Sequence, residues 1–280
     1  MLALSPRVLA AVWAAAEPRL PERPADTHPL GCHRPRIPDR DCFEAIVFRL
    51  VTGCSWDVAG RLGKGSETTL RTRFNEWVAA GVFDGLADEA IEGFDKIIGL
   101  DLSETSVDGS VHKAPMGGEG TGKSPVDRGK LGWRWSIVTD KAGIPVGWTV
   151  AGANIHDSLL IAETLDAAGR RGLLGEFGTL HLDRGYDNQY VRADCAERNL
   201  SDLVIAERKK KNRRRGTARQ PTKVPLGLRW PVERTNSWFS NFGQLRRSTD
   251  RFVAQRMAEI ALAVALILTV KLVKWAERWC

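Results

Sequence analysis

The order of strand-like and helix-like segments between residues 100 and 207 constrains the fold of this 280-residue chain more than any other feature. Amphipathic spacing predicts helices at 157–170 and 188–198. Short runs of β-branched and apolar residues predict strands around them, at 106–111, 135–139, 144–150, 180–183 and 202–206. Three strands followed by alternating helices and strands predict an α/β fold, in which helices pack on a mixed sheet.

Two further helices are predicted after this region, at 231–245 and 252–279. The second contains the longest apolar run, 260–270, with Glu259 before it and Lys271 after it. That run is about half of the roughly 20 residues that a bilayer crossing needs. We therefore expect a buried helix and no association with a membrane.

The first hundred residues are predicted to be helical. An alanine-rich helix at 5–17 is followed by an arm at 18–38 that is dense in Pro, Arg and His, and then by three short helices within 41–81 that are separated by glycine turns. The third of these helices carries Arg71 and Arg73 away from its apolar face. This pattern fits a helix-turn-helix unit that contacts DNA through both arginines, and it fits a plain helical bundle equally well.

These segments predict three domains. Residues 1–40 would form an N-terminal helix and arm, residues 41–95 a helical domain that fits DNA binding, and residues 100–280 the α/β domain with the two terminal helices.

The charge of the chain favours a polyanionic partner. Its net charge is +7, its sequence pI is about 9.3, and residues 208–215 read RKKKNRRR. Such a run is often only a solvated loop, but clustered Lys and Arg also bind DNA phosphates by releasing counterions, and we favour the second interpretation. The five cysteines show neither a C-x-x-C pair nor zinc-site spacing, so they predict reduced thiols in a cytoplasmic protein.

The stretch GGEGTGKS at 117–124 matches the phosphate-loop pattern G-x-x-x-x-G-K-[ST]. A working phosphate loop needs a helix that begins at the Gly-Lys-Ser, so that free N–H groups converge on the phosphates. The following PVDRGKLGW has no helical periodicity, and we therefore expect no nucleotide hydrolase. Instead, 116–132 is predicted to be a mobile, basic, glycine-rich loop that closes over a substrate.

Three acidic residues stand where a metal site would need them. Asp108 lies in one predicted strand, Asp183 ends another, and Glu233 lies in the first turn of a predicted helix. Taken singly, each has an ordinary explanation, because Asp often caps a turn and Glu in a first turn offsets the helix dipole. If the two strands are neighbours and the helix packs across them, the three carboxylates converge.

The sequence motifs around these acids resemble those of the DDE transposases of bacterial insertion sequences, in the group named after insertion sequence 5. The resemblance rests on FRLVTGCSWDV, SVDGSVHKAP, GGEGTGKSPVDRGKLG, GANIHDS, LHLDRGYD and RWPVERTNSWFSNFGQLRRSTDR, in that order along most of the chain. A loop of the type GGxxTGxxPxDRGKxG stands at this place in that family. The match of Lys123 and Ser124 to the phosphate loop is therefore accidental.

The resemblance implies a ribonuclease H-like fold and Mg²⁺-dependent DNA strand cleavage and strand transfer. Asp108 would bridge two Mg²⁺ ions, for which Mn²⁺ can substitute, while Asp183 and Glu233 would each complete the site of one ion. Water would free a 3′-hydroxyl at the end of the element, and that hydroxyl would attack target DNA. The implied partners are the element's terminal inverted repeats, target DNA and further copies of the chain, at the bacterial nucleoid.

The same resemblance places DNA contacts around the third acid. In the signature Y-(2)-R-(3)-E-(6)-K, Arg229 and Glu233 match, but Leu226 and Ser240 replace the Tyr and the Lys. A closing DNA contact is then expected from another basic residue. The full set of expected DNA contacts is Arg71, Arg73, Lys130, Arg184, Arg229, Arg234, Asn236, Trp238, Arg246 and Arg247. Trp238 fits a base-stacking role and a core position equally.

A second class of function stays open on the sequence. In a DNA-binding protein without catalysis, the helical region and the basic run would act alone, and the three acids would be incidental.

Overall fold

A computed structural model describes residues 2–22, 36–61, 65–205 and 229–279. The helices are α1 Pro6–Ala16, α2 Asp39–Thr52, α3 Trp56–Gly60, α4 Glu67–Ala79, α5 Val82–Ile97, α6 Ile161–Arg170, α7 Gln189–Glu197, α8 Trp230–Ser240, α9 Gly243–Arg246 and α10 Val253–Trp279. The strands are β1 Glu104–Lys113, β2 Gly122–Lys123, β3 Leu131–Thr139, β4 Pro145–Gly152, β5 Thr179–Leu182 and β6 Leu203–Ile205. The predicted basic run at 208–215, most of the predicted arm and Leu226 lie outside the described residues.

The chain divides into two compact units. The helical unit comprises Met1–Ile98, His112–Gly120 and Trp238–Cys280, and the sheet unit comprises Gly99–Val111 and Thr121–Ser237. Residues from both ends of the sequence thus belong to the helical unit. The three domains predicted from the sequence stay a prediction.

The sheet unit is built on one mixed sheet. The strands follow the order β4, β3, β1, β5, β6, and the short β2 also pairs with β3. Strands β1 and β5 run parallel with Ser106 opposite His181, and β5 and β6 are also parallel, whereas β3 and β4 are antiparallel. The predicted α/β class, a mixed sheet flanked by helices, is confirmed, and the ribonuclease H-like fold stays a prediction.

One face of this sheet packs in an apolar core, so polar side chains of β1 lie on the opposite face. Val107 on β1 and Leu180 and Leu182 on β5 are buried in a core with Ile161 and Leu165 of α6. Because successive side chains of a strand point to opposite faces, the residues that alternate with these lie on the other face of the sheet. Asp108 is one of them.

The helical unit packs around α10. Its buried stretch contacts α5 and α1, and residues 260–266 are buried, so the predicted buried helix is confirmed. Aromatic rings fill the rest of the core, with Phe74 and Phe83 at 5.5 Å between ring centroids and Phe43 and Trp77 at 6.4 Å. Within the described residues, none of the helices has the length and apolarity that a membrane crossing needs.

The predicted helices and strands agree with the structure within a few residues, except at three places. Helix α5 was not predicted, although Phe83, Ala87, Ile91 and Phe94 follow helical spacing on its buried face. The strand β2 was not predicted either, because two residues show no period.

The third difference is the predicted helix 231–245, which is broken into α8 and α9. At Gly243, which begins α9, a Cβ atom would stand 2.4 Å from the backbone nitrogen of Gly53. This close backbone approach places the start of α9 against the end of α2.

Candidate active site

Asp108 lies on the polar face of β1. Its Oδ2 accepts a hydrogen bond of 3.2 Å from the side-chain amide of Asn236, on α8. Burial raises the pKa of Asp108 to about 6, and the nearby carboxylates of Asp157 and Asp183 raise it as well, while the Gly109 N–H and Arg229 lower it. Asp108 is thus a carboxylate in a partly desolvated, negatively charged environment.

Asp183 stands just after β5, at the same edge of the sheet. Strands β1 and β5 are parallel, and Ser106 pairs with His181. Asp108 and Asp183 each lie two residues further along, so the register brings them next to each other. One oxygen of Asp183 accepts a hydrogen bond from the Gly185 N–H and caps the turn that follows. The capping role and the position beside Asp108 therefore coexist.

Glu233 reaches the same region from the first turn of α8, and Arg229 connects it to Asp183. The Nη2 atom of Arg229 lies 3.5 Å from Glu233 Oε1 and 4.0 Å from Asp183 Oδ2. The Glu233 side chain is 56% exposed, so it stands at the open side of the cluster. The structure thus gathers Asp108, Asp183 and Glu233 around one arginine.

The chemistry of these residues fits a divalent cation, because hard carboxylate oxygens are the ligands that Mg²⁺ prefers. Among the residues that the structure describes, however, no group of three or more His, Cys, Asp or Glu side chains is arranged as a metal site. The guanidinium of Arg229 supplies the positive charge between Asp183 and Glu233. The assignment of the three acids as catalytic metal ligands stays a prediction.

A fourth carboxylate belongs to this cluster and was missed in the sequence. Asp157 lies close enough to Asp108 and Asp183 to affect the pKa of Asp108, and it forms an ion pair of 2.7 Å with the buried Arg134 of β3. The GANIHDS stretch was the available signal, but its His-Asp pair reads as a helix cap. His156 does cap the turn, accepting a hydrogen bond from the Ser158 N–H at 3.2 Å, whereas Asp157 faces the acids.

Two residues predicted to contact DNA instead hold α8 against the sheet. Asn236 accepts a 2.8 Å hydrogen bond from Trp135 Nε1 while its amide donates to Asp108. Arg234 donates to the carbonyl of Ala142 and lies over the ring of Trp230, 4.6 Å from its centroid. The structure therefore gives Asn236 and Arg234 positioning contacts.

Arg73 is a correction to the sequence prediction. Its side chain is buried in the helical unit, where it pairs with Asp39 and lies 3.3 Å from Glu76. Its predicted position away from the apolar face is therefore wrong, and its contact with DNA stays a prediction. The prediction failed because a helix of this length places residues 71 and 73 on different faces, and only packing decides which face is covered.

The other predicted DNA contacts are accessible to different degrees. The exposed ones are Arg71, Lys130, Arg184, Arg246 and Arg247, while Arg229 and Trp238 are partly buried. Arg71 is paired with Glu67 one turn away, and Lys271 places its ammonium 3.9 Å from the centre of the Trp238 ring. Their roles in binding DNA stay predictions.

The glycine-rich loop lacks the strand-to-helix structure of a phosphate loop. Gly122 and Lys123 form β2, paired with Gly132 and Leu131 of β3, so no helix begins at the Gly-Lys-Ser. This local structure differs from that of a phosphate loop, and the expectation against a nucleotide hydrolase stays a prediction.

The first part of the same loop is held by the helical unit. The buried Arg256 donates to the Gly117 carbonyl at 3.1 Å, and the Glu119 N–H donates to the Arg251 carbonyl at 2.7 Å. Closure of the loop over a substrate stays a prediction.

Comparison with known families gives two matches on this chain. A family model described as "Transposase DDE domain" matches residues 100–268, which is more than half of the chain. A second, described as "Putative transposase of IS4/5 family", matches residues 9–87.

Individual relatives agree with these matches. The chain is 33% identical over 155 residues to "Putative transposase for insertion sequence element IS402" from Burkholderia cepacia, covering 52% of this chain and 67% of that protein. It is 31% identical over 115 residues to "Insertion element IS402 uncharacterized 16.2 kDa protein" from the same organism, covering 41% of this chain and 78% of that protein. Among solved structures, a pre-cleavage Mos1 transpososome is similar at 9% identity and a TM-score of 0.31, covering 89% of this chain and 82% of that one.

Proposed function

This chain belongs to the family of DDE transposases, and we propose that it cleaves DNA at the ends of an insertion sequence and transfers those ends to target DNA with divalent metal ions. The observation that carries the proposal is the convergence of Asp108, Asp183 and Glu233 around Arg229 at one edge of the sheet. These acids come from segments that are far apart in the sequence. Their meeting at one point is what a phosphoryl-transfer site requires.

The three carboxylates are proposed to hold Mg²⁺, or Mn²⁺ in its place. Bound ions at such a site supply activation of an attacking oxygen and stabilisation of the leaving oxygen. The residues around the acids set their positions: Asn236 holds the Asp108 carboxylate through its amide, and the Gly185 N–H holds Asp183. Glu233 is exposed and therefore able to reach a ligand from the solvent side.

Arg229 has two possible partners in this proposal. Without DNA it neutralises Asp183 and Glu233, and with DNA it would release these carboxylates and contact a phosphate, as a guanidinium does well. Binding of DNA to Arg229 would thus free Asp183 and Glu233 to bind metal ions.

DNA is the proposed partner, and its contacts would come from the exposed basic side chains. Lys130 and Arg184 belong to the sheet unit, and Arg71, Arg246 and Arg247 to the helical unit. Such contacts neutralise phosphates and position the duplex without reading its sequence. Oligomer formation on DNA and a location at the nucleoid are part of the same proposal.

The alternative is a DNA-binding protein that has lost catalysis. The Asp108→Asn variant separates the two functions, because it removes the charge of the carboxylate and keeps its shape. For the transposase, we expect strand cleavage to fall on the order of 10³-fold or more, with DNA affinity within about twofold of the wild type.

The test uses the full chain, a labelled duplex carrying the element's own ends, and Mg²⁺, Mn²⁺ or EDTA. Asp101→Asn is the matched control, since Asp101 is an exposed carboxylate ahead of the same strand. It should cleave like the wild type. Cleavage that survives both Asp108→Asn and EDTA would contradict the proposal, and binding without any cleavage by the wild type would favour the alternative.

A further inference from the structure

We infer that Asp157 and Arg134 form a positioning pair that fixes the strand at Asp108, and that the active site depends on this pair as well as on its three acids. The inference rests on the proposed function, since it concerns the same reaction. Asp157 stands on the loop after β4 and Arg134 on β3, so the pair joins two elements next to the strand that carries Asp108.

The Asp157 carboxylate packs against β1 at Gly109. A Cβ atom at Gly109 would stand 2.1 Å from Asp157 Oδ1 and 3.1 Å from the carbonyl oxygen of Trp135. Any side chain at position 109 would therefore displace the Asp157 carboxylate. The residue that follows Asp108 must be glycine because Asp157 packs directly on it.

Arg134 fixes the position of the Asp157 carboxylate. Its Nη2 lies 2.7 Å from Asp157 Oδ1 and donates to Oδ2 at 2.8 Å, while Nη1 donates to the Ile155 carbonyl. The guanidinium thus ties both the carboxylate and the loop backbone to β3. Because both oxygens of Asp157 already contact Arg134, Asp157 is placed as a support for Asp108.

The charges of the cluster agree with this division of roles. Asp157 and Arg134 neutralise each other, so the pair adds no net charge beside Asp108. The other members of the cluster in the described part of the chain are three carboxylates and Arg229. The excess negative charge that attracts a cation therefore comes from the three acids alone, and loss of Asp157 would leave the buried charge of Arg134 next to them.

The test compares Asp157→Asn with Asp166→Asn in the full chain. Asp166 also pairs with an arginine, Arg198, but it lies on α6 and half of its side chain is exposed. Two quantities are measured for each variant: cleavage of end DNA as a function of Mn²⁺ concentration, and the shift in unfolding temperature that Mn²⁺ causes without DNA. The second reports on cation binding independently of activity.

For Asp157→Asn we expect the Mn²⁺ concentration for half-maximal cleavage and for half-maximal thermal shift to rise together, by about 10- to 100-fold, as for other residues that orient metal ligands. DNA binding and the Asp166→Asn control should not change. Gly109→Ala gives an independent route to the same defect, and it applies if Asp157→Asn does not fold.

Other outcomes are equally informative. A lower unfolding temperature with an unchanged Mn²⁺ midpoint, in Asp157→Asn or Gly109→Ala, would show that the pair only stabilises the fold, and the inference would be wrong. If Asp108→Asn abolishes cleavage while Asp157→Asn behaves as the wild type, the inference fails and the proposed function stands. If Asp108→Asn cleaves normally, the proposed function itself fails.

Discussion

The helical unit and the sheet unit each contain a cluster of arginine and carboxylate side chains, and the two clusters differ in charge balance. In the helical unit, Arg49 pairs with Asp250 at 3.0 Å and with Glu259 at 2.8 Å, and all three side chains are at most 5% exposed. Arg256 completes this cluster through the Asp250 carbonyl, so two arginines face two acids.

The cluster in the sheet unit has an excess of acids. Its four carboxylates are Asp108, Asp157, Asp183 and Glu233, and its two arginines are Arg134 and Arg229. The formal sum is −2 when all six groups are charged, and part of the cluster is open to solvent. The same residue types therefore produce a closed, formally neutral cluster in one unit and a partly open cluster with excess negative charge in the other.

The largest expected effect comes from breaking the neutral cluster. Arg49→Ala would remove the guanidinium that pairs with both Asp250 and Glu259, and burial already raises the pKa of Glu259 well above its usual value. We expect a loss of about 3–5 kcal/mol in the free energy of unfolding, measured by urea denaturation. Arg7→Ala removes an exposed pair with Glu277 and should cost at most about 1 kcal/mol. Equal losses in the two variants would show that the buried cluster contributes no more to stability than an exposed ion pair.

In the acidic cluster, removing a charge should raise the stability of the fold and not lower it. The folded protein raises the pKa of Asp108 from 3.8 to about 6, so between these values it retains a proton that the unfolded chain has lost. Stability therefore falls as the pH rises from about 4 to 6, and above pH 6 the ionised Asp108 destabilises the metal-free fold by up to about 3 kcal/mol.

Asp108→Asn removes this penalty, and we expect a higher unfolding temperature at pH 7.5 in EDTA but no difference near pH 4. The pH series of both proteins, recorded by circular dichroism, checks the expectation. A variant that is less stable than the wild type at pH 7.5 would contradict it. Divalent ions should reduce the difference at pH 7.5, because they stabilise only the protein that retains the carboxylate.

The smallest effect separates two arginines of the same helix. Arg71→Ala should change stability by less than about 0.5 kcal/mol and should lower the slope of log K against log salt for DNA binding by about 0.9, the value of one phosphate contact. Arg73→Ala should instead destabilise the fold, because Arg73 is buried against Asp39. DNA-binding titrations between about 50 and 200 mM salt measure this slope for each variant. An unchanged slope for Arg71→Ala would show that this helix face does not contact DNA.

Local pattern was sufficient for most of the secondary structure. The strands and helices around Asp108 and Asp183 were predicted within a few residues, because alternation and helical spacing reflect one buried face in each element. The single helix predicted across 231–245 was wrong, because the chain breaks it before Gly243, which packs closely on Gly53, 190 residues away in the sequence.

The site was only partly predictable. The three acids were found through their resemblance to a family, and the structure brings them together. Asp157 was missed because its His-Asp context is an ordinary capping sequence. Arg73, Arg234 and Asn236 were given DNA contacts because basic and amide side chains bind phosphates in many proteins, yet their partners here are protein groups.

The amino-acid sequence by itself determined the α/β class, the family and the order of the elements, because these depend on residue periodicity and on short motifs. Only the tertiary structure decided which carboxylates share one edge of the sheet and which arginines neutralise them. The reason is physical: such contacts join residues that are tens to hundreds of positions apart, and strand register and helix packing set their distances.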